Sequence, residues 1–527
     1  MNTEPTDRKE LRRQKVAIGI VIVACLLVYG KSVHYDFVLF DDASHTYDNH
    51  YLNPLTWSSF VHIWTNVYDR LYIPLSYTVY GALVWIGHVL GGPDVSDTGA
   101  TINPHVFHAA NVLLHSANSV LVYCILQLFT KRSGASLLGA LVFTLHPLQV
   151  ESVGWVSELR GLLSATCGLS AVLVYLRRAH KWYYMLVSVL MVAALLAKPS
   201  AVAFPIIAVI IDAAINKRAW REYALHALPW VAAAIAIAWL TGGQRSQGNY
   251  ALVAPWQRTF VAADAIVFYF SKLLWPGGLA VDYGRTPQIA LADRRVFIEW
   301  AIPPIIAAIC WLYRKSAAWL AVGSLVALAA LLPVLGLVPF TFQYYSTVAD
   351  RYAYVAMLGP AIAVASLVAR RPRWEAGAMV IVMALAIVSA QRCTVWTYTN
   401  TLMAAQMRVN SRSVFAHDAY GHIAERRGDY ATALGEYRAV IAERVDLASG
   451  HYNAGRCLEA LRDNQHAESE YITAIQMDPS YAPAHYRLGK LLVGLGRIKE
   501  SDREQHRAVE LDPYFRCEPL IVLPDTK

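Results

Sequence analysis

Val16-Ala-Ile-Gly-Ile-Val-Ile-Val-Ala-Cys-Leu-Leu-Val-Tyr-Gly30 is an unbroken run without a charge, and it follows Arg8, Lys9, Arg12, Arg13 and Lys15. A helix needs about 20 mainly apolar residues to cross a bilayer, and the segment 16-33 comes close to that. No small-residue cleavage pattern follows it cleanly, so it reads as an uncleaved first span and not as a removed signal peptide. Twelve more apolar segments come after it, near 71-92, 104-130, 134-150, 157-176, 182-197, 199-216, 224-241, 258-275, 296-313, 316-338, 350-369 and 374-391. The fold class expected is therefore all-α: a polytopic helical membrane domain, then a helical tail.

Composition agrees. The 527 residues are 56% hydrophobic and 16% charged, against about 25% charged in soluble domains. The formal net charge is +8. Residues 411-527 hold 15 Lys+Arg against 18 Asp+Glu, so the whole basic excess sits in the membrane part. Basic residues beside apolar segments report topology, and no basic stripe or recognition motif points to nucleic acid. The seven cysteines show neither disulfide nor zinc spacing.

Basic clusters at Lys131-Arg132, Arg177-Arg178-Lys181, Lys217-Arg218-Arg221, Arg314-Lys315 and Arg370-Arg371-Arg373 decide which segments cross. If all thirteen cross with the N-terminus inside, the first three clusters fall outside, against the positive-inside rule. If 71-92 and 258-275 stay at the surface, all five fall inside. Both segments have the tyrosine-rich or amphipathic character of interfacial helices. The expectation is eleven spans plus two interfacial helices. Polar loops 34-70, 146-157, 242-295 and 339-350 then lie outside, as does the tail.

Residues 414-515 repeat every 34 positions. Gly421, Gly455 and Gly489 align, as do Ala433, Ala467 and Ser501, then Tyr437, Tyr471 and Gln505. Pro479 and Pro513 mark the turns, with Val445 where the first repeat would carry proline, and Gly428 and Gly496 flank Arg462. This is the tetratricopeptide pattern. Three repeats form an α-solenoid whose concave face suits a peptide or protein partner.

The acidic pair Asp41-Asp42 stands just beyond the first span, at the expected outer mouth of the membrane body. Transfer to a hydroxyl needs a base for its proton, and two carboxylates can divide base and metal-holding or orienting roles; the plainer alternative is a solvated acidic loop or a helix N-cap. His146 and Glu151, in His146-Pro-Leu-Gln-Val-Glu151, are placed to orient such a site. Asp41, Asp42 and Glu151 are the candidate ligands should a divalent metal be involved. Lys198 ends a span before Pro199; it either snorkels to the headgroups or pairs a lipid phosphate. Arg351 opens a span on the outer side, where it either pairs with Asp350 or binds phosphate oxygens. His105, His108 and His115 share a helix face and read as packing residues. Trp155, Trp275 and Trp396 read as interface anchors.

In order along the chain come Phe37 to Asp42, Ile73-Pro-Leu-Ser-Tyr77, Pro104-His-Val-Phe-His-Ala-Ala-Asn-Val-Leu-Leu-His115, His146-Pro-Leu-Gln-Val-Glu-Ser-Val-Gly-Trp-Val-Ser-Glu158, Ala197-Lys-Pro-Ser200, Leu273-Leu-Trp-Pro276 with Asp282-Tyr283, and Ser346-Thr-Val-Ala-Asp-Arg-Tyr-Ala-Tyr354. With the C-terminal repeats, this ordered set resembles the transmembrane-and-tetratricopeptide-repeat O-mannosyltransferases and their bacterial relatives, over almost the whole chain. The resemblance implies a GT-C glycosyltransferase fold and a polyprenyl-phosphate sugar donor, with mannose the expected sugar. It implies transfer to protein hydroxyls outside the cytosol, Asp41 or Asp42 as catalytic carboxylate, and Lys198 and Arg351 as donor-phosphate contacts. Relatives carry Arg-x-Asp after Val156-Ser-Glu158. Here the sequence is Leu159-Arg160-Gly161, so either Arg160 substitutes from a shifted position or one contact is missing. Relatives also often place arginine where Ile73 stands.

The expected division is a cytoplasmic N-terminus 1-15, a membrane domain 16-391 with first outer loop 34-103, a linker 392-413, three repeats over 414-515 and a tail 516-527. Compact inner loops point to a bacterial member, in the inner membrane with its site and repeats on the periplasmic side. The expected function is a membrane glycosyltransferase acting on exported or membrane proteins, with a lipid-linked sugar donor and with the repeats presenting the acceptor. The alternative is a non-catalytic scaffold that recruits envelope proteins through its repeats. A transporter, third, would need charges at mid-membrane, where Asp212 and Asp264 are the main possibilities.

Overall fold

The computed structural model describes residues 5–68, 71–91, 100, 102–178, 182–216, 220–242, 253–313, 315–512 and 515. Lys181, Lys217, Arg218 and Arg314 of the basic clusters, Pro513 of the repeat pattern and the tail 516-527 lie outside them. The chain divides into two compact units, Met1–Ala405 and Gln406–Lys527. Among the described residues both are helical, with one isolated β-bridge, Tyr68 to Leu71.

In the first unit, five helical stretches are long and apolar enough to cross a membrane: Arg8–His34, His105–Thr130, Val156–Arg177, Pro199–Asn216 and Pro372–Trp396. A sixth is the pair Ser133–Leu145 and Pro147–Gly154, bent by 51°. The bend falls at His146-Pro147, where proline cannot donate the next helical bond. Shorter apolar helices cover Tyr183–Ala197, Ala227–Ile237, Val296–Leu312, Ala318–Val334 and Val355–Arg370. These account for eleven of the thirteen apolar segments, and the chain is a membrane protein by this criterion.

The other two segments are the 17-residue helices Pro74–Leu90 and Arg258–Leu274. Each is two-faced. The first buries Tyr77, Tyr80 and Val84 and exposes Trp85, Val89 and Leu90. The second buries Val261, Ala265 and Tyr269 and exposes Phe270 and Leu274. The two acidic residues that a transporter reading would use are already paired: Asp212 accepts from Arg178 Nη2 at 2.6 Å, and Asp264 from Arg285.

Small residues let helices meet backbone to backbone. A Cβ on Gly323 or on Gly359 would fall against the other glycine's carbonyl oxygen, which locks the helices Ala318–Leu331 and Leu358–Arg370 at contact distance. Of the tryptophans read as interface anchors, Trp275 is exposed, but Trp155 and Trp396 are fully buried, their rings stacked with centroids 6.3 Å apart. Gly154 makes room for that stack, since a Cβ there would touch the Trp396 side chain at 3.0 Å. The stretch 392-413, read as a linker, is helical over Thr399–Val409.

The second unit contains helix pairs Val414–Arg426 with Tyr430–Glu443, Ala448–Ala460 with Asn464–Met477, and Ala482–Gly494 with Ile498–Leu511. The 34-residue period has a steric cause. A Cβ at Gly421, Gly455 or Gly489 would come within 2.6, 2.7 and 2.6 Å of Tyr437, Tyr471 and Gln505 on the paired helix. Between paired helices the chain turns through positive φ at Gly428 (74°), Arg462 (67°) and Gly496 (76°). A further period was not read from the sequence. His417, His451 and His485 pair through Nδ1 with Glu436, Glu470 and Glu504 at 2.7, 2.6 and 2.6 Å. In the latter two, Nε2 also lies 3.2 Å from a turn carbonyl, of Val445 and Pro479 respectively. Val445, standing in proline's place, thus keeps the carbonyl that its histidine needs.

Candidate functional site

The acidic pair is split by its surroundings. Asp42 is buried and opens the short helix Asp42–His45. Its Oδ2 accepts from the Val38 N–H at 3.0 Å, and its Oδ1 accepts from both the N–H (3.1 Å) and the hydroxyl (2.7 Å) of Ser157. Burial pushes its carboxyl up to about 7, against those three hydrogen bonds. Asp41 precedes it in the N-cap position, without a side-chain cap bond. Its side chain is 39% exposed and stands 3.9 Å from Arg160 Nη2. Asp42 therefore ties the first loop to the Trp155–Glu158 turn, while Asp41 is the carboxylate that an incoming group can reach.

Arg160 is the hub. Besides Asp41, its Nη1 donates to His45 Nε2 at 3.2 Å and its Nε lies 3.6 Å from Glu158 Oε1. His45 is buried, and burial together with the adjacent guanidinium holds its ring well below the usual imidazole range. Neutral His45 can accept from Arg160 and donate through Nδ1 to the Tyr77 hydroxyl, 3.3 Å away. The two-faced helix Pro74–Leu90 thus braces the site, as it does again where Tyr80 donates to the Ser157 carbonyl at 2.7 Å.

Glu158 is a residue that sequence reasoning quoted but gave no role. It is buried, and Lys198 Nζ reaches both its oxygens, at 2.7 and 3.0 Å. Its signal was available: an acid and a base two residues apart at the start of an apolar helix, facing Lys198 across the next helical hairpin. Arg351 does not take Asp350, one of the two partners that its sequence position allowed. It reaches Glu151 instead, Nη1 to Oε1 at 2.5 Å and the backbone N–H to Oε2 at 3.2 Å. Asp350 accepts from the Tyr283 hydroxyl at 2.6 Å. The guanidinium of Arg351 lies 5.3 Å from the Trp155 ring centroid and that of Arg160 lies 5.9 Å from it, so this buried indole is within cation–π range of both.

A cavity of about 40 Å³ is lined by Glu158, Lys198 and Arg351 together with Ala201, Phe204, Ala330 and Val334. Its walls combine two cations and one carboxylate with apolar side chains and with Ser164, Ser200, Tyr352 and Tyr354. The fold brings Asp41, Asp42, Arg160, Lys198, Arg351 and Glu151 onto one connected network through the Trp155–Glu158 turn. His146 stands apart from it: Nδ1 accepts from the Leu148 N–H and Nε2 donates to the Leu273 carbonyl. It caps the turn at the helix bend and holds the second two-faced helix.

The metal question turns on the donor set. Among the described residues no three His, Cys, Asp or Glu side chains gather as a cation cage. Asp42 has both oxygens engaged by N–H and O–H donors, and Glu151 by Arg351. Among the described residues, Asp41 is thus left without a second carboxylate or imidazole free to share a divalent ion, and the candidate set Asp41, Asp42 and Glu151 does not fit one.

The tetratricopeptide-repeat signature matches residues 448–481 and 482–515. Over 171 residues, 31% of this chain, the sequence is 28% identical to the Homo sapiens protein O-mannosyl-transferase TMTC1, of which the match spans 18%. Among solved structures, MamA is 17% identical with a TM-score of 0.20, covering 21% of this chain and 66% of its own. The Cut9–Hcn1 hetero-tetramer is 11% identical with a TM-score of 0.24, covering 78% of this chain and 88% of its own. Scores this low establish no common fold.

Proposed function

We propose that this protein is a membrane glycosyltransferase of GT-C type that moves a sugar, mannose being the first choice, from a polyprenyl-phosphate carrier to hydroxyl groups of exported or membrane proteins. The observation that carries the reading is the cavity where Lys198 and Arg351 meet the apolar Ala201, Phe204, Ala330 and Val334 beside serine and tyrosine side chains, linked through Glu158 and Arg160 to the accessible carboxylate of Asp41. A lipid-linked phosphate has the same two-part chemistry. The distant likeness to an O-mannosyl-transferase supports the reaction class.

In this reading the acceptor oxygen attacks the anomeric carbon and its proton passes to Asp41. The bond from that carbon to the phosphate oxygen breaks, and the lipid phosphate leaves with the electron pair. Lys198, Arg351 and Arg160 balance the charge that develops on it. Asp42 acts through Ser157, keeping the Asp41 loop against the Glu158 turn. The repeats bind the acceptor protein, and site and repeats share the non-cytosolic side of a bacterial inner membrane.

The test is transfer from labelled polyprenyl-phosphate mannose to envelope protein by the full chain in nanodiscs. Transfer by the wild type that is lost in D41N supports the reading. No transfer with any lipid-phosphate sugar, with the repeats still capturing envelope protein, would instead make the chain a scaffold.

A further inference from the structure

Lys198, one of the two cations that line the cavity, already holds an anion. Glu158 is buried, grips the ammonium through both oxygens at 2.7 and 3.0 Å, and has Arg160 Nε at 3.6 Å from Oε1. Two oxygens of one anion, held by an ammonium and faced by a guanidinium in a buried cavity, are also what a phosphate would present there. Glu158 and Lys198 both line that cavity.

Room for this arrangement comes from one residue. A Cβ at Gly161 would collide with Glu158 Oε2 and lie 3.1 Å from Lys198 Nζ. Gly161 lies inside the helix Leu159–Arg177, in ordinary helical backbone, so nothing about the turn geometry calls for glycine. What its missing side chain permits is the contact between carboxylate and ammonium.

We infer that Glu158 is a built-in stand-in for the donor's phosphate: it occupies Lys198 when the site is empty, yields it to the lipid phosphate, and reclaims it to expel the spent carrier. The inference rests on the proposed reaction and deepens it by assigning product release to a residue outside the bond-making step. No covalent change is involved. The ammonium exchanges one anionic partner for another, and the buried cation is never left unpaired.

Two independent changes weaken the stand-in. E158Q removes its charge. G161A pushes the carboxylate aside; the colliding atom is the end of a flexible side chain and alanine favours a helix over glycine, which offsets part of what the displaced buried pair loses, and a melting curve in detergent checks that the variant is folded. Farnesyl phosphate is titrated into the full chain in detergent, with inorganic phosphate in parallel. Both variants should bind farnesyl phosphate about tenfold more tightly than wild type, since a like charge is gone from the anion's position, and K198M should abolish binding. In turnover, KM and kcat should fall together in E158Q, because the product is retained; a merely structural role would not lower KM. Wild-type binding that needs Lys198 but is unchanged or weakened in both variants overturns the stand-in and leaves the transferase reading intact. A gain equally large for inorganic phosphate overturns the assignment to a lipid phosphate. Failure of wild type and variants alike to bind farnesyl phosphate removes both.

Discussion

Asp42 takes two hydrogen bonds from one residue 115 positions away, the N–H and the hydroxyl of Ser157. The neighbouring Asp41 has its carboxylate at the Arg160 guanidinium and partly in solvent. Adjacent residues of the same type therefore do different jobs, and their substitutions should separate.

D41N should lose transfer by about 10²–10⁴-fold, the usual worth of a general base, with an unchanged melting temperature. D42N should lower stability by about 1–3 kcal/mol, because the amide presents an N–H to one of the three donors and leaves it unsatisfied. Thermal unfolding in detergent beside the transfer assay reads both. Equal losses of activity and stability in the two variants would contradict this division.

Glu151 and Arg351 are both almost fully buried, with side-chain exposures of 3% and 4%. Removing one partner strands a buried charge, so E151Q and R351M should each cost about 3–5 kcal/mol. The double variant E151L/R351M should recover much of that stability and none of the transfer. A double variant no more stable than the singles would show that the pair's geometry, and not its charge, holds the turn.

Much of this architecture is legible in the chain. Composition, and not length, sets the 17-residue helices Pro74–Leu90 and Arg258–Leu274 apart from the other apolar segments, because their polar side chains lower the hydropathy that a long or short apolar helix otherwise shows. The repeats are legible because a glycine facing Tyr437 or Tyr471 must recur at the helical-pair spacing. Pairings between charged residues are not. Sequence adjacency favours Arg351 with Asp350, yet Glu151 wins from 200 positions away, because the bend at Pro147 carries it there. Trp155 and Trp396 look like interface residues by type, and only the stack beside Gly154 shows them as core.

Arg462 takes the positive-φ turn that its two counterparts fill with glycine, at 67°. A side chain there is strained by roughly 1–2 kcal/mol. R462G should therefore raise the stability of the repeats by up to about 1 kcal/mol, since added flexibility of the unfolded chain offsets part of the relief. Denaturant unfolding of the full chain, followed by protection of the second repeat, checks the sign. A loss of stability would show that the strain is relieved elsewhere.

His451 faces acceptors with both ring nitrogens, the Glu470 carboxylate and the Val445 carbonyl. Both can be satisfied only by the doubly protonated ring. The Glu470 hydrogen bond raises its pKa above the ordinary 6.5, despite the opposing effect of burial. The folded state thus holds the proton more tightly, and the stabilisation is complete below the ordinary value and lost as pH climbs through the raised one. Melting of the repeats should fall as pH rises above the ordinary imidazole value of about 6.5, and H451Q should flatten that slope. An identical slope in wild type and variant would exclude this residue as the source.

Gly323 and Gly359 give the cavity one jaw that cannot shift. Ala330 and Val334 follow the first glycine along its helix, and Arg351 precedes the second, so the backbone contact couples both flanks of that wall into one rigid piece. Admission of a bulky guest must then be achieved by the opposing jaw, Lys198 to Phe204.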